Sequence, residues 1–336
     1  MYTKKNALLL SLVCSLLLVC SCKDKERDLF GLSIDASRMA GTPSEIFSIQ
    51  HIKMFQASND FITELLPNLY VDTNVNSFAV APFYMISTLG LDTNFTLYLE
   101  SYSKYYNLSP YSHKSLKSSF DNFLSAVKNI DSTIVIHNKL VQETDSIFVL
   151  NQSMNITLNY TNNVNKYDDS IFKDINNEER KDNFLNLCGE YSILQSNEET
   201  VCSIPIGNDN FTLMLIRPEK LNIKEYLNKF DLKRYLNIVN SLENRRVNIS
   251  FPLISIKVDS LYIPMPQIPN SDTNGVFPTK LFLNQDFQIE NIPLNESSAQ
   301  TVLQTNDSEP IIYNSPFLFV LKGKNSNLIM YLGYYL

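Results

Sequence analysis

The sequence contains no tryptophan and only three histidines, eight glycines and five cysteines in 336 residues. His51, His113 and His137 stand far from one another, and no His or Cys spacing suits zinc, so no metal site is expected. With so few glycines there is no Gly-x-Gly-x-x-Gly and no Walker-type loop, which removes the usual phosphate cradles, and no cofactor is implied. Positive charge is also short: 28 Lys and Arg face 35 Asp and Glu, a formal net charge of −7 with no basic stripe. That balance argues against nucleic acid and against a general affinity for anionic membranes. The paired carboxylates Asp168-Asp169 and Glu178-Glu179 belong to no acid–base motif and read as solvated loop charges, so an enzyme is not expected.

What is present is ordinary globular composition, 44% hydrophobic and 11% aromatic, enough for one large domain or two modest ones. The N-terminal stretch is set aside first. Lys4 and Lys5 precede an apolar core from Ala7 to Val19, which ends in Val19-Cys20-Ser21-Cys22. The apolar run of about 15 residues is short of the roughly 20 that a spanning helix needs. It resembles a bacterial lipoprotein signal with Cys22 as the lipidated first residue of the mature chain; a cleaved secretory peptide or a short anchor helix is the plainer reading. Lys23 to Asp28 resembles the charged patch of surface-exported lipoproteins of the Bacteroides type. The expected layout is a signal over 1–21, a polar tether over 22–50 and a folded domain over 51–336, anchored in the outer membrane, surface-exposed, and touching the membrane only through its lipid. Only Cys188 and Cys202 then remain in the domain, to be joined as a disulfide or buried as free thiols.

Along the domain, Ser58 is a candidate N-cap for a helix carrying Phe61, Leu65, Leu66 and Leu69, and Leu116 to Val127 repeats apolar residues at helical spacing. Strands are expected at 76–83, 134–138 and 146–150, a charged loop at 177–182, a hairpin over 187–194 and 200–206, and a buried strand over 211–218. Leu232 to Leu242 reads as an amphipathic helix. Val247 to Val258 alternates, but its phase slips at Pro252-Leu253, which points to one bulged edge strand. Residues 263–269 carry three prolines and cannot be helical throughout.

The chain closes on Ser315 to Leu336: an apolar run from Phe317 to Leu321, turn residues from Gly323 to Ser326, and a second run from Leu328 to Leu332. Two such runs need protein above and below them, because an isolated hairpin is not stable. Pro316-Phe317-Leu318-Phe319-Val320 followed by Leu328 to Gly333 resembles the C-terminal signature of the serpins, the inhibitors that trap proteases by inserting a loop into a sheet. Asn59-Asp60-Phe61, Ser77 to Leu89 and Ile204-Pro205-Ile206 before the 211–218 strand are similar to further family segments. The resemblance implies an α+β fold: a large, mostly antiparallel main sheet, a second packed sheet holding the C-terminal hairpin, and surrounding helices, reduced because only 49 positions separate Asn138 from Leu187. It also implies a monomer whose partner is a protease or another protein.

In that family, function turns on the connection before Pro316, whose hinge must be rich in small residues to slide between strands. Two alignments are open. In the preferred one, Thr301 to Asp307 is the last main-sheet strand, Asp307-Ser308-Glu309 begin the connection, and nine positions remain to Pro316, a reach of at most ~30 Å. In the other, Glu296 is the hinge acid with Ser297, Ser298 and Ala299 as its small residues, and 20 positions remain. No Gly-Thr-Glu-Ala-Ala-type run occurs between Asp286 and Pro316. The expectation is a serpin-like protein that does not inhibit and acts by binding, the alternative an inhibitor of serine or cysteine proteases guarding the envelope.

Overall fold

The computed structural model describes residues 59, 63, 77–80, 134–144, 147–158, 164–206, 211–263, 280–291, 310–323 and 329–336. All of them belong to the unit Met39–Leu336. The thirteen described strands are β1 Ser77–Val80, β2 Ile134–Thr144, β3 Ile147–Leu158, β4 Val164–Lys173, β5 Glu179–Gln195, β6 Glu199–Ile206 and β7 Phe211–Pro218, then β8 Glu243–Pro252, β9 Ser255–Ile263, β10 Lys280–Asn291, β11 Ile311–Ile312, β12 Phe317–Gly323 and β13 Ile329–Tyr335. Two helices, α1 Ile223–Leu227 and α2 Leu232–Asn240, separate β7 from β8.

The strands form two sheets: a nine-stranded one in the order β1-β13-β12-β7-β6-β5-β8-β11 with β4 added to β5, and a four-stranded one in the order β2-β3-β10-β9. Both layers are mostly antiparallel, as expected of the α+β class, and β1 lies beside β9 and β10. The hairpin β12–β13 lies in a separate sheet from β10, as expected, and among the described residues that sheet is the larger. Its centre is buried on both faces, with every residue of β13 and all but Gly323 of β12 out of solvent. Continuous apolar runs do this because neither pleat face meets water. β5 instead alternates, turning Leu185, Leu187, Tyr191 and Ile193 inward.

The 17-residue β5 is the joint of the large sheet. β8 pairs along one edge of it, while β4 and then β6 succeed each other along the other, because Phe184 to Leu187 and then Ser192 to Ile193 are shared with β8. The charged stretch from Glu179 to Asp182, expected as loop, is strand because it completes the β4 ladder; only Asp174 to Glu178 turn, with Asp174 Oδ1 accepting the Asn176 and Glu178 N–H groups. The phase slip at Pro252-Leu253 is not a bulge: β8 ends there in one sheet and β9 begins in the other. Pro252 has no N–H to continue a ladder, and the Leu253 N–H turns to the Asn183 carbonyl at 2.9 Å.

The helices start on side-chain caps. Asn222 Oδ1 accepts the Glu225 N–H at 2.9 Å and Asp231 Oδ1 the Arg234 N–H at 2.7 Å. Leu232, Tyr235 and Leu236 then bury one face of α2, as the spacing predicts. The 116–127 helix, the 263–269 prolines past Ile263 and the Thr301–Asp307 strand lie outside the described residues.

Asn59 is helical and buried, and its Oδ1 accepts the Ile329 N–H at 2.9 Å at the start of β13, 270 positions away. Asn59→Ala is expected to leave that donor without its partner and to lower unfolding stability by about 1–3 kcal/mol in urea melts, whereas Asn59→Asp retains most of it.

Candidate functional site

The residues just before Pro316, which the sequence reading singled out for function, form a described foot held by neighbouring strands. Pro316 sets the entry to β12, and ahead of it only Ile311–Ile312 form strand, β11, before the chain bends at Ser315. β11 pairs parallel to β8 at Ile249 and Ser250, and the Tyr313 N–H continues to the Ser250 carbonyl at 2.8 Å. From the opposite side the Lys173 N–H at the end of β4 reaches the Asn314 carbonyl at 2.9 Å.

Side chains lock this foot. Arg217, at the end of β7, donates Nη1 to the Ile312 carbonyl, lies 5.7 Å over the Tyr313 ring, and directs Nε and Nη2 to Glu219 Oε1 at 3.2 and 2.7 Å. Burial disfavours the charged Glu219 carboxylate, yet the Thr200 hydroxyl at 2.6 Å and Arg217 hold its pKa below the ordinary value. Tyr313 is fully buried and donates its hydroxyl to the Leu215 carbonyl at 3.2 Å. Beneath it lies the free thiol of Cys202, pushed up to about 12 by burial despite its bond to Tyr313 and the nearby Arg217. Cys188 is free as well, so no disulfide joins the two.

From Tyr313 a line of aromatic contacts crosses the sheet end. Tyr313 meets Phe317 edge-on at 5.5 Å, Phe317 stacks on Tyr335 at 5.4 Å, and Tyr335 meets Phe172 of β4 edge-on at 5.1 Å. Arg180 caps the line, 4.6 Å over Phe172 and 5.2 Å over Tyr335, while Asp182 Oδ2 accepts Arg180 Nε and the Tyr335 hydroxyl, each at 3.0 Å. Burial, and then the Asp182 charge, push the Tyr335 hydroxyl up to about 12.

The other foot is β10. It pairs parallel to β3 without a break from Lys280 with Ile147 to Asn291 with Leu158, and antiparallel to β9 on its far side. Asp286 and Phe287 are inside it. From the end of β10, 25 positions separate Asn291 from Pro316, and residues 292–309 between them lie outside the described residues. The strand at 280–291, rich in Asn, Gln and Asp, gave no sustained apolar pattern in the sequence, and Thr301 to Asp307 lie outside the described residues.

Of the residues singled out in the sequence, Cys22, Glu296, Ser297, Ser298, Ala299, Asp307, Ser308 and Glu309 lie outside the described residues. Phe317 is in the aromatic line, Pro316 at its entrance, and Gly333 between Ala79 and Phe319 in the ladder. The sequence did not single out Arg217, Tyr313, Tyr335 or Arg180. Their partners lie as far as 153 positions away, although Tyr313 stands three before Pro316, Tyr335 two after Gly333 and Arg217 within the 211–218 strand.

A second polar cluster ties α1 and α2 to the β5–β6 turn. Glu199 is buried; its Oε2 accepts the Tyr226 hydroxyl and, at 3.1 and 2.7 Å, Nε and Nη2 of Arg234, whose Nη2 also reaches Glu198 at 2.9 Å. Arg234 lies 4.6 Å over the Tyr226 ring.

No protein-family model matches the chain. An uncharacterized serpin-like protein of Methanosarcina acetivorans is 21% identical over 178 residues, a match spanning 47% of this chain and 42% of that protein. The crystal structure of uncleaved ovalbumin superposes with a TM-score of 0.60 at 10% identity, covering 84% of this chain and 98% of ovalbumin. The fold is therefore serpin-like, and the chain spans less than half the length of the serpin-like relative it matches.

Proposed function

We propose that this chain is a lipid-anchored bacterial surface protein of the serpin type that binds a protein partner, acts without catalysis and does not trap proteases by strand insertion. The observation that carries this is the pairing of β10 together with the residues next in the chain. β3 and β10 are parallel neighbours, so a strand folding back from the end of β10 between them would be antiparallel to both, replacing one parallel pair with two antiparallel ones. Turning back from Asn291 takes at least two residues, so Ile292-Pro293 would make the turn and the strand would open at Leu294-Asn295-Glu296. No Gly-Thr-Glu-Ala-Ala-type run follows, and Leu294, Val302 and Leu303 are bulky where small side chains are needed to slide between closed strands. Insertion would also separate twelve paired residues of β3 and β10 before any new pairing forms.

The length of the connection favours the second reading, a working inhibitor of serine or cysteine proteases. Twenty-five positions extend to about 80 Å, ample for a loop that enters a protease cleft and returns. The two readings separate on denaturing gels of the full chain mixed with a panel of serine and cysteine proteases. The expected result is cleavage between residues 292 and 309, or none, with no adduct; a denaturant-resistant protease adduct overturns the binding reading.

A further inference from the structure

A cavity of about 350 Å³ lies between α2 and the β5–β6 turn, with Leu194 and Ile238 as its apolar lining and Lys229, Lys233 and Arg234 as its cations. Three acids line it too, but each is engaged: Glu199 by Tyr226 and Arg234, Glu198 by Arg234, and Asp231 by the Arg234 backbone N–H. Lys229 and Lys233 are exposed, and among the described residues neither forms an ion pair.

Arg234 is not used up by its glutamates. Its side chain is only 19% exposed, and Glu199 occupies the Nε/Nη2 edge through a single oxygen. On the Nη1/Nη2 edge, Nη1 makes no hydrogen bond among the described residues, and Nη2 reaches Glu198, whose side chain is 69% exposed. A solvent-screened pair of that kind is worth little and is readily exchanged. The freed edge is the fork that takes a carboxylate or phosphate through two parallel N–H bonds.

We propose that this cavity is a binding site for a small organic anion, whose carboxylate or phosphate displaces Glu198 from the Arg234 fork between Lys229 and Lys233 while its carbon body covers Leu194 and Ile238. The cavity volume suits a ligand of that size, and the site is independent of the connection before Pro316.

The test is calorimetric titration of the full chain with benzoate and with phenyl phosphate at fixed ionic strength, with sodium chloride as control. Saturable binding of at least one is expected, with Kd of about 1 mM. The exposed-residue variant Lys229→Ala/Lys233→Ala weakens it about tenfold without changing the melting temperature of the free protein, and Glu198→Gln strengthens it about threefold by releasing Nη2. Glu178→Gln, the same charge change in the β4–β5 turn, leaves it unaltered. Binding of benzoate alone assigns a carboxylate ligand and of phenyl phosphate alone a phosphate. The site is refuted by binding that does not saturate, by an affinity unmoved in the double lysine variant, or by equal gains from Glu198→Gln and Glu178→Gln.

Discussion

Phe317→Ala lowers the unfolding free energy by about 3–5 kcal/mol, read from the denaturant midpoint with an unchanged slope. The side chain is fully buried and lies between two rings, edge-on to Tyr313 and stacked on Tyr335, so its removal leaves a cavity that neither neighbour can close without leaving its own partner. Tyr313 is held by Leu215, and Tyr335 by Asp182 and Phe172. Because this line fixes the foot of the connection, the same variant raises hydrogen exchange at the Tyr313 and Asn314 amides beyond what global destabilisation requires. Tyr335→Phe serves as the control: it keeps the stack and loses only the bond to Asp182, for about 1 kcal/mol.

Arg234→Ala costs a comparable amount, about 3–5 kcal/mol, because it strands Glu199, buried beside Tyr226, without its cation. The measurement is a double-mutant cycle with Glu199→Gln. Once the carboxylate is neutral, loss of Arg234 is expected to cost no more than about 1–2 kcal/mol, the difference being the coupling between the two. Equal costs in both backgrounds would mean that Arg234 stabilises only through its packing on Tyr226.

The strands that were plain in the sequence are those whose pattern is their own. Phe211–Pro218, Phe317–Gly323 and Ile329–Tyr335 are continuous apolar runs because they are buried on both faces, and no neighbour has to be known to see it. The α2 helix was legible for the same reason, one apolar face at helical spacing. β10 was not. Its sequence, KLFLNQDFQIEN, is half polar, and its strand character comes from β3 and β9 on either side. The residues that follow it, 292–309, lie outside the described residues, so the binding reading rests on the chemistry of their sequence.

The slip at Pro252-Leu253 shows the same limit in another form. Periodicity reported that the buried face changes there, but a bulge within one strand and a passage from one sheet to another leave the same trace in a single chain. By itself the sequence determined the two-faced burial of the C-terminal hairpin and the serpin-like likeness of its motif. Only the tertiary structure decided that Arg217 holds the Ile312 carbonyl and that Glu199 and Arg234 meet. Those facts depend on pairings between residues tens of positions apart, and the energy of such a pairing belongs to both partners, so neither stretch of sequence carries it alone.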